Sequence, residues 1–177
     1  MTASGRVPAI VRQETEADYP AVYALIRDAF VTAEHSDGKE HDLVAALRDS
    51  RSFVPALSLV AESEGRIVGH VLFTEVSIGN MRSLALAPLA VSLEYRSKGI
   101  GAALVTEGHR IARKLGYAYS VVLGDPAYYA RFGYRPACEF GIRAPFDVCD
   151  AYFMALRLRS DAPLPDGTVR YDAAFGI

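Results

Sequence analysis

The sequence has few of the residues that announce a specialised chemistry. Its 177 residues hold two cysteines and four histidines. Cys138 and Cys149 stand in no metal or redox spacing, which argues against a disulfide scaffold and a thiolate metal centre, so two small buried thiols in a reducing compartment are expected. No histidine pair has a ligand spacing such as HExxH, and His35 and His41, set among Asp37, Glu40 and Asp42, read as a solvated helix entry; no metal is expected. No apolar run is long enough to cross a bilayer, and the first residues show no basic segment followed by an apolar stretch. The expectation is a cytoplasmic protein with no membrane partner. Neither sign of charge is in excess, with 19 Lys and Arg against 21 Asp and Glu, so no nucleic-acid partner is expected. About half of the residues are apolar, at 51%, which argues against disorder. Repeats and low-complexity tracts are absent. The length fits one domain over residues 1–177 with a substantial core.

The pattern along the chain alternates helix and strand. Residues 1–8 carry no periodicity and are expected to fray. Ile10 to Gln13 reads as a short strand, and Thr15-Glu16-Ala17-Asp18 supplies cap residues for a helix through about Phe30, with Val22, Leu25, Ile26 and Ala29 as its apolar stripe. After the turn cluster Ser36-Asp37-Gly38, helical spacing resumes from Glu40 to Arg48. Leu57 to Glu62 and Arg66 to Ile78 form a predicted hairpin about Ser63-Glu64-Gly65, and their unbroken apolar character suits a sheet covered on both faces. Arg82 to Val91 returns as a strand, with Pro88 marking a bulge or a parting from a neighbour. A helix from Gly101 to Leu115, capped by Gly116, is expected to bury Leu104, Gly108, Ile111 and Leu115. Gly108 costs it up to about 1 kcal/mol relative to alanine, which a close approach to the sheet would explain. Asp125-Pro126 starts a further helix. Tyr152 to Leu158 reads as a late strand, and the tail 160–177 ends in an apolar segment that suits docking on the domain or on a partner.

The chain is organised around Ser83 to Tyr134. Here an apolar strand runs into the turn Arg96-Ser97-Lys98-Gly99-Ile100-Gly101 and directly into a helix. A helix start presents backbone N–H groups without partners and about half a positive charge, and glycines let an anion approach them. Arg96 and Lys98 add full charges. A Rossmann-type nucleotide site is disfavoured, because the glycines do not follow GxGxxG and the hairpin ahead of them implies antiparallel strands.

Arg96 to Gly101 resembles the Q/R-x-x-G-x-G/A signature of the GNAT superfamily of N-acetyltransferases. Val121-Val122-Leu123, the segment from Asp125 to Phe132, and Gly133-Tyr134 are similar to that family's fifth strand, fourth helix and the glycine–aromatic pair that follows. The resemblance is close from about Val68 to Tyr134. It implies an α/β (α+β) fold with a mostly antiparallel seven-stranded sheet, splayed between strands 4 and 5 and flanked by about four helices. It also implies acetyl-CoA as co-substrate. The backbone of Leu89, Ala90 and Val91 would hold pantetheine and thioester, and the amides of Arg96, Ser97, Lys98, Gly99, Ile100, Gly101 and Ala102 the pyrophosphate. The loop between the first two helices would border the acceptor.

The implied reaction moves an acetyl group to a primary amine of a small molecule or peptide. Tyr129 stands where the family often places a tyrosine that protonates the departing thiolate, and Tyr128 is the neighbouring alternative; a phenol titrating near 10 stays neutral at pH 7. The amine must lose a proton, which for a lysine-like group near 10.4 is a deficit of about 4.6 kcal/mol at pH 7. Several family members place a carboxylate on the strand entering the cradle, whereas Ser83 to Val91 contains none, leaving bound water or Glu75 as the options for a base. His70 reads as a core residue, and His109, beside Arg110, Arg113 and Lys114, as part of a solvated basic face. A non-catalytic acyl-CoA-binding or regulatory domain is the alternative reading, and a homodimer is compatible with either.

Overall fold

The computed structural model describes residues 7–177. Strand β1 (Ile10–Gln13) is followed by helices α1 (Tyr19–Phe30) and α2 (Glu40–Arg48), then by three long strands, β2 (Phe53–Ser63), β3 (Arg66–Ile78) and β4 (Met81–Val91). Helix α3 (Ile100–Lys114) leads to β5 (Tyr119–Leu123) and the short α4 (Pro126–Tyr129), after which come β6 (Arg135–Pro136), β7 (Ile142–Arg143), β8 (Phe153–Arg157) and β9 (Gly167–Arg170). Seven strands follow one path, β1-β2-β3-β4-β5-β8-β6, and the two remaining ones, β7 and β9, pair with each other and extend it beside β3. All pairings on that path are antiparallel except β4 with β5.

Both faces of the sheet are covered, as the unbroken apolar strands require. Leu59, Ala61, Val71 and Phe73 turn to one face and pack beneath Leu104 and Val105 of α3, while Val60 and Leu72 turn to the other and meet Val22 and Ile26 of α1 and Val44 and Leu47 of α2. Gly108 sits where α3 approaches most closely: a Cβ there would lie 2.2 Å from the Phe73 ring. The hairpin between β2 and β3 turns through Glu64 and Gly65, both at positive φ, the geometry that suits the twist of paired strands. β2 begins four residues earlier than its periodicity suggests, because its register slips between Phe53 and Ser58 and Phe53 still finds Thr74 across the strand.

Two features of β4 position the site. Val71 and Phe73 face Leu89 and Leu86, so Ala87 and Pro88 together oppose the single residue Leu72; this is a bulge, and the Ala87–Pro88 peptide is cis. β4 also pairs with β5 only at Leu84 with Ser120 and Ala85 with Val121. Beyond Ala85 the two strands part, and one edge of β4 faces open space.

A buried polar knot ties α2 to the sheet. Arg48 pairs with Glu14, Ser58 donates to Glu14 Oε2 at 2.6 Å, and Ser58 Oγ lies 3.2 Å from His70 Nε2. Because Ser58 spends its proton on Glu14, the ring's Nε2–H donates to Ser58 and its Nδ1 is left bare. The tail docks on the same body: β9 pairs with Ser77 and Ile78, Asp172 accepts from Ser52 Oγ at 2.8 Å, and Phe175 packs against the cluster beneath α1 and α2. The expectation of a frayed start falls mostly outside the described residues; within them, the Pro8 carbonyl accepts from Ser63 Oγ at 3.0 Å.

Candidate active site

The open edge of β4 and the start of α3 border a cleft of about 750 Å³. One wall is Leu89, Ala90 and Val91, whose outward backbone groups meet no neighbouring strand among the described residues, the Val91 carbonyl accepting only from the Arg96 side chain. Its floor is the turn from Arg96 to Ala102. Ser97 and Gly99 hold φ of 60° and 85°, and this left-handed geometry swings the chain so that α3 begins at Ile100 with its first amides facing the cleft. The opposite wall comes from α4 and its continuation. Tyr128 reaches across, its hydroxyl 2.5 Å from where a Cβ on Gly101 would lie, so glycine at 101 leaves room for that contact. Asp125 caps α4 by accepting from the Ala127 amide at 2.9 Å.

A second hollow, about 650 Å³, opens where β4 and β5 diverge. Its base is formed by Ala85 to Leu89 and Val121 to Gly124, and its rim by Phe30, Leu43, Phe146, Tyr171 and Phe175. Phe30, Leu89, Asp125 and Tyr128 line both hollows and form the wall between them. Tyr129 lines the second one. Its ring is wedged against Gly124, where a Cβ would lie 2.4 Å away, and edge-on to Tyr134 at 5.7 Å. Its hydroxyl makes no hydrogen bond among the described residues, and burial raises its pKa above the ordinary phenol range.

Residues 19–134 match the model of the acetyltransferase (GNAT) family. The chain belongs to that family. It is 35% identical over 155 residues to the uncharacterized N-acetyltransferase YhbS of Escherichia coli strain K12, covering 86% of this chain and 89% of that one. A crystal structure of the GNAT family protein YhbS from Escherichia coli in complex with CoA superposes with a TM-score of 0.88 at 33% identity, over 100% of this chain and 97% of the other. A GNAT family acetyltransferase from Brucella melitensis in complex with acetyl-CoA matches with a TM-score of 0.79, also at 33% identity, over 95% and 98% of the two chains.

Within this GNAT domain, the residues expected to hold the donor line the first cleft except Lys98, which lines a groove beyond α3 with Val11 and Thr106, while Tyr129 lines only the second hollow. The Lys98 ammonium lies 5.3 Å from the centre of the Tyr95 ring. Arg96 faces the cleft, but its guanidinium is engaged: it donates to the Ala29 carbonyl at 2.7 Å and to the Val91 carbonyl at 3.4 Å, lashing the end of α1 to the end of β4. Sequence reasoning missed Arg131, which stands on the far wall with its guanidinium 4.3 Å from the centre of the Tyr128 ring. No spacing rule marks it, since it enters the cleft only through the turn after α4.

Three sequence expectations shift. Cys138 and Cys149 are free but exposed rather than buried, since both stand in the irregular segment between the short strands β6 and β8 and not on a core-facing element. Glu75 lines neither hollow: Arg82 donates to both of its oxygens, at 3.0 and 3.2 Å, and Tyr117 donates at 2.9 Å. These contacts, Arg82 foremost, hold its carboxyl below the usual range, which makes it a poorer base still. His109 is not on a solvated face but buried, with Nε2 2.9 Å from the Tyr134 hydroxyl, which in turn lies 2.7 Å from Ser120 Oγ. Helix α3 is rotated so that His109 faces the core, while Leu115 lies past its end and is exposed.

Proposed function

We propose that the protein is an acetyl-CoA-dependent N-acetyltransferase that acts on a primary amine, with the donor in the first cleft and the acceptor in the second. The observation that carries this reading is the unpaired edge of β4 at Leu89 to Val91, flanked on one side by the amide turn of α3 and on the other by the hollow that holds Tyr129. An extended pantetheine arm can add to that edge as a strand would, while the pyrophosphate meets the amides of Ile100, Gly101 and Ala102 and the local positive potential of the helix start. The solved relatives that carry CoA or acetyl-CoA support the same donor.

In this assignment the backbone N–H groups of the β4 edge polarise the thioester carbonyl, because a donor aimed at a developing oxyanion in a dry site lowers the barrier more than it strengthens ground-state binding. The neutral amine attacks that carbon; the C–N bond forms, the C–S bond breaks, and the nitrogen's surplus proton leaves to water. Tyr129 gives its proton to the sulfur. Burial keeps the phenol protonated through the working pH range and makes it a weaker acid, so its hydrogen bond to the departing sulfur does much of the stabilising before the proton moves.

The test is a screen for thiol release from acetyl-CoA against small amines, amino acids, polyamines and peptides. Turnover of at least one acceptor, with stoichiometric N-acetylated product, is the expected result. Tight coenzyme binding with no turnover across the panel would favour a non-catalytic acyl-CoA-binding domain instead.

A further inference from the structure

Glu40 begins α2 and lines the second hollow, and its Oε2 is buried with no hydrogen-bond partner among the described residues. Glu40 as a whole is only partly buried, so a change of rotamer can present this unpartnered oxygen to the hollow, where a cation that arrives with the ligand would supply the missing donor. The surroundings narrow which cation. Among the described residues no lysine or arginine lines the hollow, and its charged side chains are Glu40 and Asp125, of which Asp125 has one oxygen engaged as the cap of α4. The remaining surface is almost wholly aliphatic and aromatic, from Leu43, Leu86, Val122, Phe146, Tyr171 and Phe175.

We propose that this hollow selects a primary amine carried on an apolar body, such as an arylalkylamine, with Glu40 as the partner of its ammonium. This rests on the transferase reading and deepens it. Mostly apolar walls favour a hydrocarbon or aromatic body and offer few partners to the several hydroxyls of a sugar or polyol, and carboxylates with no cation beside them repel an anionic acceptor. Glu40 recognises the ammonium and does not take its proton. Because that contact stabilises the protonated amine whereas the attack needs the neutral one, its loss raises KM and leaves kcat unchanged or higher.

The experiment is calorimetric titration of 2-phenylethylamine into protein saturated with CoA, which carries no acetyl group to transfer, after a separate titration has measured CoA itself. Phenylacetate, with the same body and the opposite charge, and ethanolamine, with the charge and little body, are run beside it. The expected result is binding of 2-phenylethylamine alone, weakened about tenfold or more in Glu40→Gln, with CoA affinity unchanged. Glu40→Asp, which keeps the charge, recovers part of the loss and shows that the helix still folds. Equal binding by wild type and Glu40→Gln, no binding of 2-phenylethylamine, or a preference for phenylacetate or ethanolamine overturns the inference and leaves the transferase reading standing. Failure of CoA to bind overturns that reading and the inference with it.

Discussion

Tyr129 has a ring held between Gly124 and Tyr134 and a hydroxyl left free, which separates its placing from its chemistry. Tyr129→Phe keeps the ring and removes the proton. The expected outcome is a kcat about ten- to a thousand-fold lower, with coenzyme affinity nearly unchanged and Tyr128→Phe milder, measured by single-turnover rates so that product release does not hide the chemistry. A full single-turnover rate in Tyr129→Phe would remove this residue from the mechanism. The candidacy of this tyrosine was legible because it lies at a fixed distance from Gly133 along one short helical segment. Arg131 and Glu40 were not legible, because each reaches its hollow through a tertiary contact: Arg131 across the cleft from β4, Glu40 across the gap where β4 leaves β5.

At the scale of elements, the strand–turn–helix from β4 to α3 was readable because each step has a local cause. Pro88 cannot donate to a ladder, glycine alone adopts φ of 85° at position 99 without strain, and the apolar spacing resumes at once in α3. The orientation of α3 was less readable. His109 counts as polar in a periodicity argument, yet inside the core it is satisfied by Tyr134, so the buried face is wider than the aliphatic stripe alone. β7 and β9 escaped notice because two- and four-residue strands carry too little pattern. The two glycines of the turn are separable by experiment. Gly99→Val forces a branched side chain into left-handed backbone and should cost about 1 to 2 kcal/mol of stability without any ligand. Gly101→Val crowds the Tyr128 hydroxyl and the approach to the α3 amides, so it should largely abolish the rise in melting temperature that CoA gives the wild type. An undiminished rise in Gly101→Val would place the donor elsewhere.

For the whole molecule, two buried histidines set the acid limit. Desolvation, helped by Arg48, pulls His70 down to about 3, and desolvation, helped by Arg113, pulls His109 down to about 4, against an ordinary value of 6.5. Both rings are therefore neutral in the folded protein, and their contribution to stability is complete above pH 6.5. As the pH falls below that value the unfolded chain takes up protons that the folded one refuses, and stability drops by up to about 1.4 kcal/mol per pH unit for each ring. Urea midpoints should fall steeply from pH 7 to pH 5, and less steeply in His109→Gln, which lacks one of the two titrating groups; a flat profile would show that a ring is already charged when folded. The central claim, that the parted edge of β4 and the first turn of α3 together hold the acyl donor, is tested most directly by backbone amide NMR during a CoA titration. The account predicts that the largest shifts fall on Leu89 to Val91 and on Ile100 to Ala102, with Gly101→Val suppressing both sets. Shifts centred instead on the groove of Val11, Lys98 and Thr106, with Leu89 to Val91 unmoved, would contradict it.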